Sequence, residues 1–192
     1  IIFFVFLNFE NNFSELFLSL TSSISNVGFS LNSSPNNLSF VFLILVIIGG
    51  SFFSTSSGIR FLKIYSLFKY SINEILSYSR PKNIYINKHL FSKDTFKLDE
   101  IYKYFLSVIV FIISLLILTF LLTLSGIDFE SSFKLSILTI MNTVNSSMFG
   151  LGDFSFYDLH FMTKYYLIFF MIVGRLELLT LLIICKKFLF KN

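Results

Sequence analysis

Charge is what this sequence has least of. Of its 192 residues, 14% are Asp, Glu, Lys or Arg, against 55% hydrophobic, and the mean hydropathy is +0.79. A soluble domain cannot bury that much apolar surface, so the composition points to an integral membrane protein. Cysteine is nearly absent. Cys185 stands alone in an apolar run, which excludes an internal disulfide or a cysteine metal cluster and leaves a buried, inert thiol as the expectation. Histidine is equally sparse. His89 and His160 are isolated in polar stretches, without metal-ligand spacing around either, and read as surface residues. There is no phosphate-binding glycine loop, no serine–histidine–aspartate order and no pair of carboxylates that can be placed in one pocket. The expectation is therefore a protein that is not an enzyme, holds no cofactor and has no nucleic-acid partner.

Long apolar runs take the place of these features. Two meet the length of about 20 residues that a membrane-spanning helix needs. They are residues 104–125, YFLSVIVFIISLLILTFLLTLS, and residues 165–185, YYLIFFMIVGRLELLTLLIIC. A third apolar stretch, residues 38–68, would run roughly 46 Å as one straight helix, against a hydrocarbon core of ~30 Å. It should be broken, tilted or extended into the cytoplasm. Its middle reads GGSFFSTSSG, from Gly49 to Gly58, with apolar sequence on both sides. Two further runs, residues 13–20 (FSELFLSL) and 129–140 (FESSFKLSILTI), are too short to cross and suit re-entrant or interfacial helices. The opening IIFFVFLNF reads as the tail of a longer apolar segment, so we expect a fragment whose N-terminal part is missing. It lacks the basic start and small-residue cleavage site of a signal peptide.

The few charges orient the chain. Lys69, Arg80, Lys82, Lys88, Lys93, Lys97 and Lys103 fall between the runs 38–68 and 104–125, and Lys186, Lys187 and Lys191 in the tail. The positive-inside rule places both groups in the cytoplasm. The opposite side receives Glu10, Glu15, Asp128, Glu130, Asp153 and Asp158, opposed only by Lys134 and Lys164. An acidic outer face raises local cation concentration modestly, and a plain solvated face would look the same. The basic 69–103 segment suits anionic lipid or a cytoplasmic partner, and topology alone explains the same lysines.

The order of elements is written twice. A slide of 117 residues lays Ser25-Asn26-Val27-Gly28-Phe29-Ser30 over Asn142-Thr143-Val144-Asn145-Ser146-Ser147. Each segment follows a short apolar run and precedes a long one. A short helix that dips into the membrane and returns as a loop leaves unpaired carbonyls at depth, which is tolerated only inside protein or along a watery path. Carbonyls from several such loops can replace the hydration shell of a monovalent cation. Gly28 can turn its carbonyl inward because glycine accepts positive φ, and Asn145 at the matching place is the residue type that next best tolerates it. An alternative register of the second loop uses Gly150. Ordinary extracellular turns would also fit either loop taken singly. In the last long run, Arg175 lies near mid-membrane, where an ionisable group faces a cavity or a partner. Glu177, at i+2, does not share its helix face and should contact a neighbouring helix or backbone amide instead. Gly174 permits close backbone approach.

These residues resemble a known family. SNVGFS at 25–30 is similar to the third filter loop of the Trk/Ktr/HKT potassium transporters, GGSFFSTSSGIRFLKIYSLFK at 49–69 to the segment after that loop, and GRLEL at 174–178 to the motif in the last helix. The match is best within the bacterial TrkH branch. The resemblance implies an all-α integral membrane fold of membrane–pore-loop–membrane repeats around one pore, of which this chain carries repeats three and four. Residues 1–68 would form the third repeat, 69–103 a cytoplasmic connector and 104–192 the fourth. It implies a potassium-binding filter from Asn26, Val27 and Gly28 with Thr143, Val144 and Asn145. It implies an intramembrane gating loop from Gly49, Gly50, Ser54, Thr55, Ser56, Ser57 and Gly58, and an electrostatic barrier at Arg175, with Gly174 and Glu177 in support. It further implies multi-pass insertion in the inner membrane, a homodimer, and a peripheral nucleotide-binding regulatory subunit. The chain departs from the family where glycines are replaced by Ser54, Ser56 and Ser57, and where the fourth filter shows Asn145. Two rival readings fit the composition: a non-transporting membrane subunit of a larger, for example respiratory, complex, and a fragment without function by itself.

Overall fold

A computed structural model describes residues 13–30, 36–49, 61–79, 98–145, 147–151, 154–157, 159–175 and 187. Among them the chain is helical. The helices are α1 (Phe13–Ile24), α2 (Asn36–Ile48), α3 (Phe61–Ser79), α4 (Leu98–Leu124), α5 (Phe129–Met141) and α6 (Phe161–Arg175), with a single 3₁₀ turn at Ser147–Phe149. The long apolar stretch 38–68 is indeed interrupted: α2 stops at Ile48 and α3 starts at Phe61. Most of GGSFFSTSSG, from Gly50 to Gly58, lies outside the described residues, as do Glu177 and the second half of the run 165–185.

α4 packs along one side only. Asp99–Leu124 is long and apolar enough to cross a membrane, the one such helix among the described residues. Phe111, Leu115, Leu118 and Leu122, spaced four, three and four residues apart, form its buried seam. The other faces carry Ile112, Ile113, Leu116, Ile117, Phe120 and Leu124, all exposed. A helix that is apolar all round but packed on only one face has no reason to exist in water and every reason to exist in hydrocarbon. α2 repeats the pattern, with Phe42, Leu43 and Val46 buried and Phe40 and Ile44 turned outward.

The two short helices are built differently. α5 is buried from Leu135 to Met141 without a break and packs against α2, α4 and α6. Its hydroxyls cannot reach water, so they turn back on their own helix. Ser136 Oγ donates to Ser132 O (2.7 Å) and Thr139 Oγ1 to Leu135 O (2.7 Å). α1 does the same, with Ser23 Oγ donating to Ser19 O (2.9 Å). The start of α5 is capped by Asp128, whose side chain accepts from Glu130 N (3.2 Å), and Glu130 pairs with Lys134 one turn on. At 12 and 13 residues, these helices extend only about 18–20 Å, too little to span the membrane.

Candidate functional site

The two short helices end in the same way. A helix leaves its last carbonyls unpaired, and at membrane depth no water replaces the missing partners. After α1, Asn26 N donates to Ser23 O (3.2 Å) and Val27 N to Ser22 O (3.0 Å). After α5, Asn142 N donates to Thr139 O (3.1 Å) and Thr143 N to Leu138 O (2.9 Å). Each is a Schellman motif, in which the residue beyond the helix turns left-handed and two amides fold back on the last turn. The left-handed residues are Asn26 (φ 59°) and Asn142 (φ 55°), the two non-glycine residues with positive φ among those described.

This geometry corrects two sequence expectations. The helix ends match at a spacing of 116 residues, Asn26 with Asn142, rather than at 117. Asn145 is not the left-handed counterpart of Gly28. Its backbone stays on the ordinary side, and its side chain instead donates to Leu151 O (3.3 Å), tying the loop to the residue after Gly150. Gly150 is left-handed (φ 71°) but lies beside Ser39 and Lys134, away from Gly28.

The loops that follow the two caps touch. Val144 N donates to Val27 O (3.1 Å), and Ser30 Oγ and Ser147 Oγ are 3.3 Å apart. Gly28 has φ 81° and lies so close to the other loop that a Cβ there would fall 2.3 Å from Val144 O and 2.7 Å from Thr143 Cγ2. The left-handed backbone favours glycine, and the lack of space demands it. Of the six residues expected to form a filter, five thus cluster in one place: Asn26 and Thr143 buried, Gly28 between them, Val27 and Val144 with exposed side chains and bonded backbones. Asn145 borders the cluster. Thr143 Oγ1 and Asn145 Oδ1 are buried oxygens with no hydrogen-bond partner among the described residues, a costly condition in a folded protein. Behind this loop lies an apolar cavity of about 550 Å³, walled by Leu135, Leu138, Leu167 and Met171 among others.

The chain spans 41% of the length of one solved structure that it resembles, the crystal structure of the potassium transporter TrkH from Vibrio parahaemolyticus, and 95% of this chain takes part. The TM-score is 0.77 at 21% sequence identity. The fold is that of a TrkH-type fragment. No family model and no curated protein sequence matches the chain. Sequence identity this low carries the TrkH fold alone, so what the residues do must be argued from their own geometry.

Arg175 closes the described part of α6 and is exposed, with Gly174 beside it buried. Gly174 is indispensable to packing: a Cβ there would sit 2.2 Å from Ile140 O. Gly49, the first residue of the GGSFFSTSSG stretch, is buried against Ile24 O in the same manner, at 2.6 Å. The sequence places Gly49 in the gating loop and gives no hint of this contact. Ile24 and Ile140, like Asn26 and Asn142, recur at 116 residues, but Gly49 and Gly174 do not, so no single slide reveals the contact. The two basic residues of the acidic side are both engaged, Lys134 with Glu130 and Lys164 with Tyr157 O (3.0 Å).

Proposed function

We propose that this chain forms part of a potassium transport pathway, in which loops 26–28 and 143–145 contribute backbone oxygens to a filter for a dehydrated monovalent cation. The observation that carries the reading is the meeting of the two loops. Two short helices deliver their C-terminal ends to one spot, and Val27, Gly28, Thr143 and Val144 touch there. The negative ends of the two helix dipoles converge on it, which favours a cation. The buried side-chain oxygens of Thr143 and Asn145, unpaired among the described residues, add to the same effect. A membrane subunit with only a supporting role needs full spans and has no use for two half-depth helices brought together in this way.

The remaining assignments belong to the same proposal. The protein lies in the inner membrane as a multi-pass chain, with the 69–103 connector and the C-terminus in the cytoplasm. Residues 49–58 form a gate below the filter, and Arg175 sets an electrostatic barrier in the path. A homodimer and a cytoplasmic nucleotide-binding subunit complete the assembly. Potassium is substrate, and no covalent chemistry is involved.

Rubidium uptake in cells that lack their own potassium uptake systems, with the protein expressed from its complete gene, tests this. Uptake well above the empty-vector level is expected, and basal flux rises further when residues 54–57 are deleted. No uptake, with the protein present in the membrane, contradicts the transport reading. Unchanged flux in a well-folded deletion contradicts the gate alone.

A further inference from the structure

The ends of α1 and α5 are fastened to the helices that follow them by one device, built twice. With its amide oriented so that nitrogen faces oxygen, Asn26 Nδ2 donates to Val46 O (3.1 Å) and to Ser23 O (3.2 Å). Asn142 Nδ2 donates to Met171 O (3.0 Å). Val46 lies three residues before Gly49, and Met171 three residues before Gly174. Those glycines are the ones pressed on the ends of the short helices. The ideal Cβ of Gly49 would lie 2.6 Å from Ile24 O and 2.8 Å from the end of the Asn26 amide. That of Gly174 would lie 2.2 Å from Ile140 O and 3.2 Å from Asn142 Nδ2. Helix end, left-handed asparagine, partner carbonyl and glycine thus recur in the same relation.

Physical necessity explains half of this arrangement. A left-handed residue closes a helix, and glycine or asparagine can supply it. Glycine would do so without strain. Asparagine adds what glycine lacks, a donor that reaches a neighbouring helix. Met171 O lies within α6, where a carbonyl is already bonded once and its second lone pair is the target, whereas Val46 O lies in the last turn of α2, where helical carbonyls run out of partners. The amide can reach it only because Gly49 and Gly174 let the two backbones approach. The residues next in sequence are Gly50, in the stretch read as the gate, and Arg175, read as the barrier.

We infer that Asn26 and Asn142 are positioning residues: each keys its loop to the helix that carries the next constriction, and so fixes how loops 26–28 and 143–145 face each other. The functional arm of this inference rests on the transport reading above, while the structural arm does not. Three substitutions separate the amide from the backbone at each site. Asn→Gly keeps the left-handed turn and removes the donor. Asn→Asp keeps size and turn but points an oxygen at the carbonyl. Asn→Ala loses both. If only the turn matters, Gly restores wild-type behaviour.

The test has two readouts on the protein expressed from its complete gene. The first is hydrogen exchange at the Val144 amide, which bonds to the opposite loop at Val27 O. Exchange should quicken about two- to tenfold in Asn26→Gly, the worth of one buried hydrogen bond, and more in Asn26→Asp. The second is the ratio of rubidium to sodium uptake, expected to fall by a similar factor in Asn26→Gly and Asn142→Gly at unchanged membrane abundance. Exchange at Val144 equal to wild type in Asn26→Gly overturns the joint. Faster exchange with an unchanged uptake ratio overturns its role in selectivity. A wild-type protein that takes up no rubidium defeats the transport reading instead, and the exchange arm still decides the joint.

Discussion

Replacing Gly28 with alanine is expected to abolish selective uptake while leaving the protein in the membrane. Two costs add. The backbone at Gly28 has φ 81°, a region that costs an L-residue about 1–2 kcal/mol. The new Cβ would also meet Val144 O at 2.3 Å and Val144 N at 3.0 Å. Both atoms belong to backbone, so no flexible side chain can yield. The loops must part, and the Val144 N–Val27 O bond breaks with them. Overpacking of this kind costs about 1–3 kcal/mol. The combined penalty of about 3 kcal/mol lowers the population of the native loop pair by about a hundredfold. Rubidium uptake should fall to background. Val144→Ala provides the contrast. The Val144 side chain is 63% exposed, and its carbonyl survives the change, so uptake should stay within about threefold of wild type, the range of a surface substitution. Near-normal uptake by Gly28→Ala would mean that the two loops are not held as described.

Gly174→Ala should destabilise the molecule rather than alter one loop. Its Cβ would lie 2.2 Å from Ile140 O and 3.0 Å from Ile140 C, both in the last turn of α5. α6 would have to withdraw from α5. That movement breaks the Asn142–Met171 bond and loosens Leu167, Phe170 and Val173, all buried on the same side. Overpacking plus one lost hydrogen bond comes to about 2–4 kcal/mol. In detergent, this corresponds to a melting temperature lower by about 5–10 °C, by the scaling that holds for chains of this size. Gly126→Ala is the control. Gly126, unlike the helical Gly174, is left-handed (φ 87°), but it has open space where a Cβ would go, so it bears only the backbone cost of about 1–2 kcal/mol. A Gly174→Ala protein that melts with the wild type would contradict the close contact of α5 and α6.

Much of this arrangement can be read from the residues. Hydropathy and length mark residues 13–20 and 129–140 as too short to cross, and α1 and α5 follow from them. The overlong run 38–68 announces its own interruption, because a straight helix would overshoot the hydrocarbon core. The clustering of Val27, Gly28, Thr143 and Val144 follows from the repeat. The register of the repeat does not. Val27 and Val144, and Ser30 and Ser147, favour a slide of 117, and those pairs do touch across the loops. The helix caps obey 116 instead, because the left-handed turn falls on Asn26 and Asn142. Residues that contact each other and residues that play equivalent parts are different sets, and sequence similarity mixes them. The joint at Gly49 and Gly174 is invisible for another reason. It depends on the approach of helices from separate parts of the chain, and nothing local in a glycine reveals which carbonyl will press on it.

The central claim is that the two loops line one cation path. Rubidium scatters anomalously and replaces potassium in oxygen-lined sites, so a crystal of the protein grown in rubidium addresses it directly. A rubidium peak is expected beside the joined loops 26–28 and 143–145, on the side where both present free backbone oxygens and within coordinating reach of them. Two well-ordered loops with no rubidium beside them would contradict the filter.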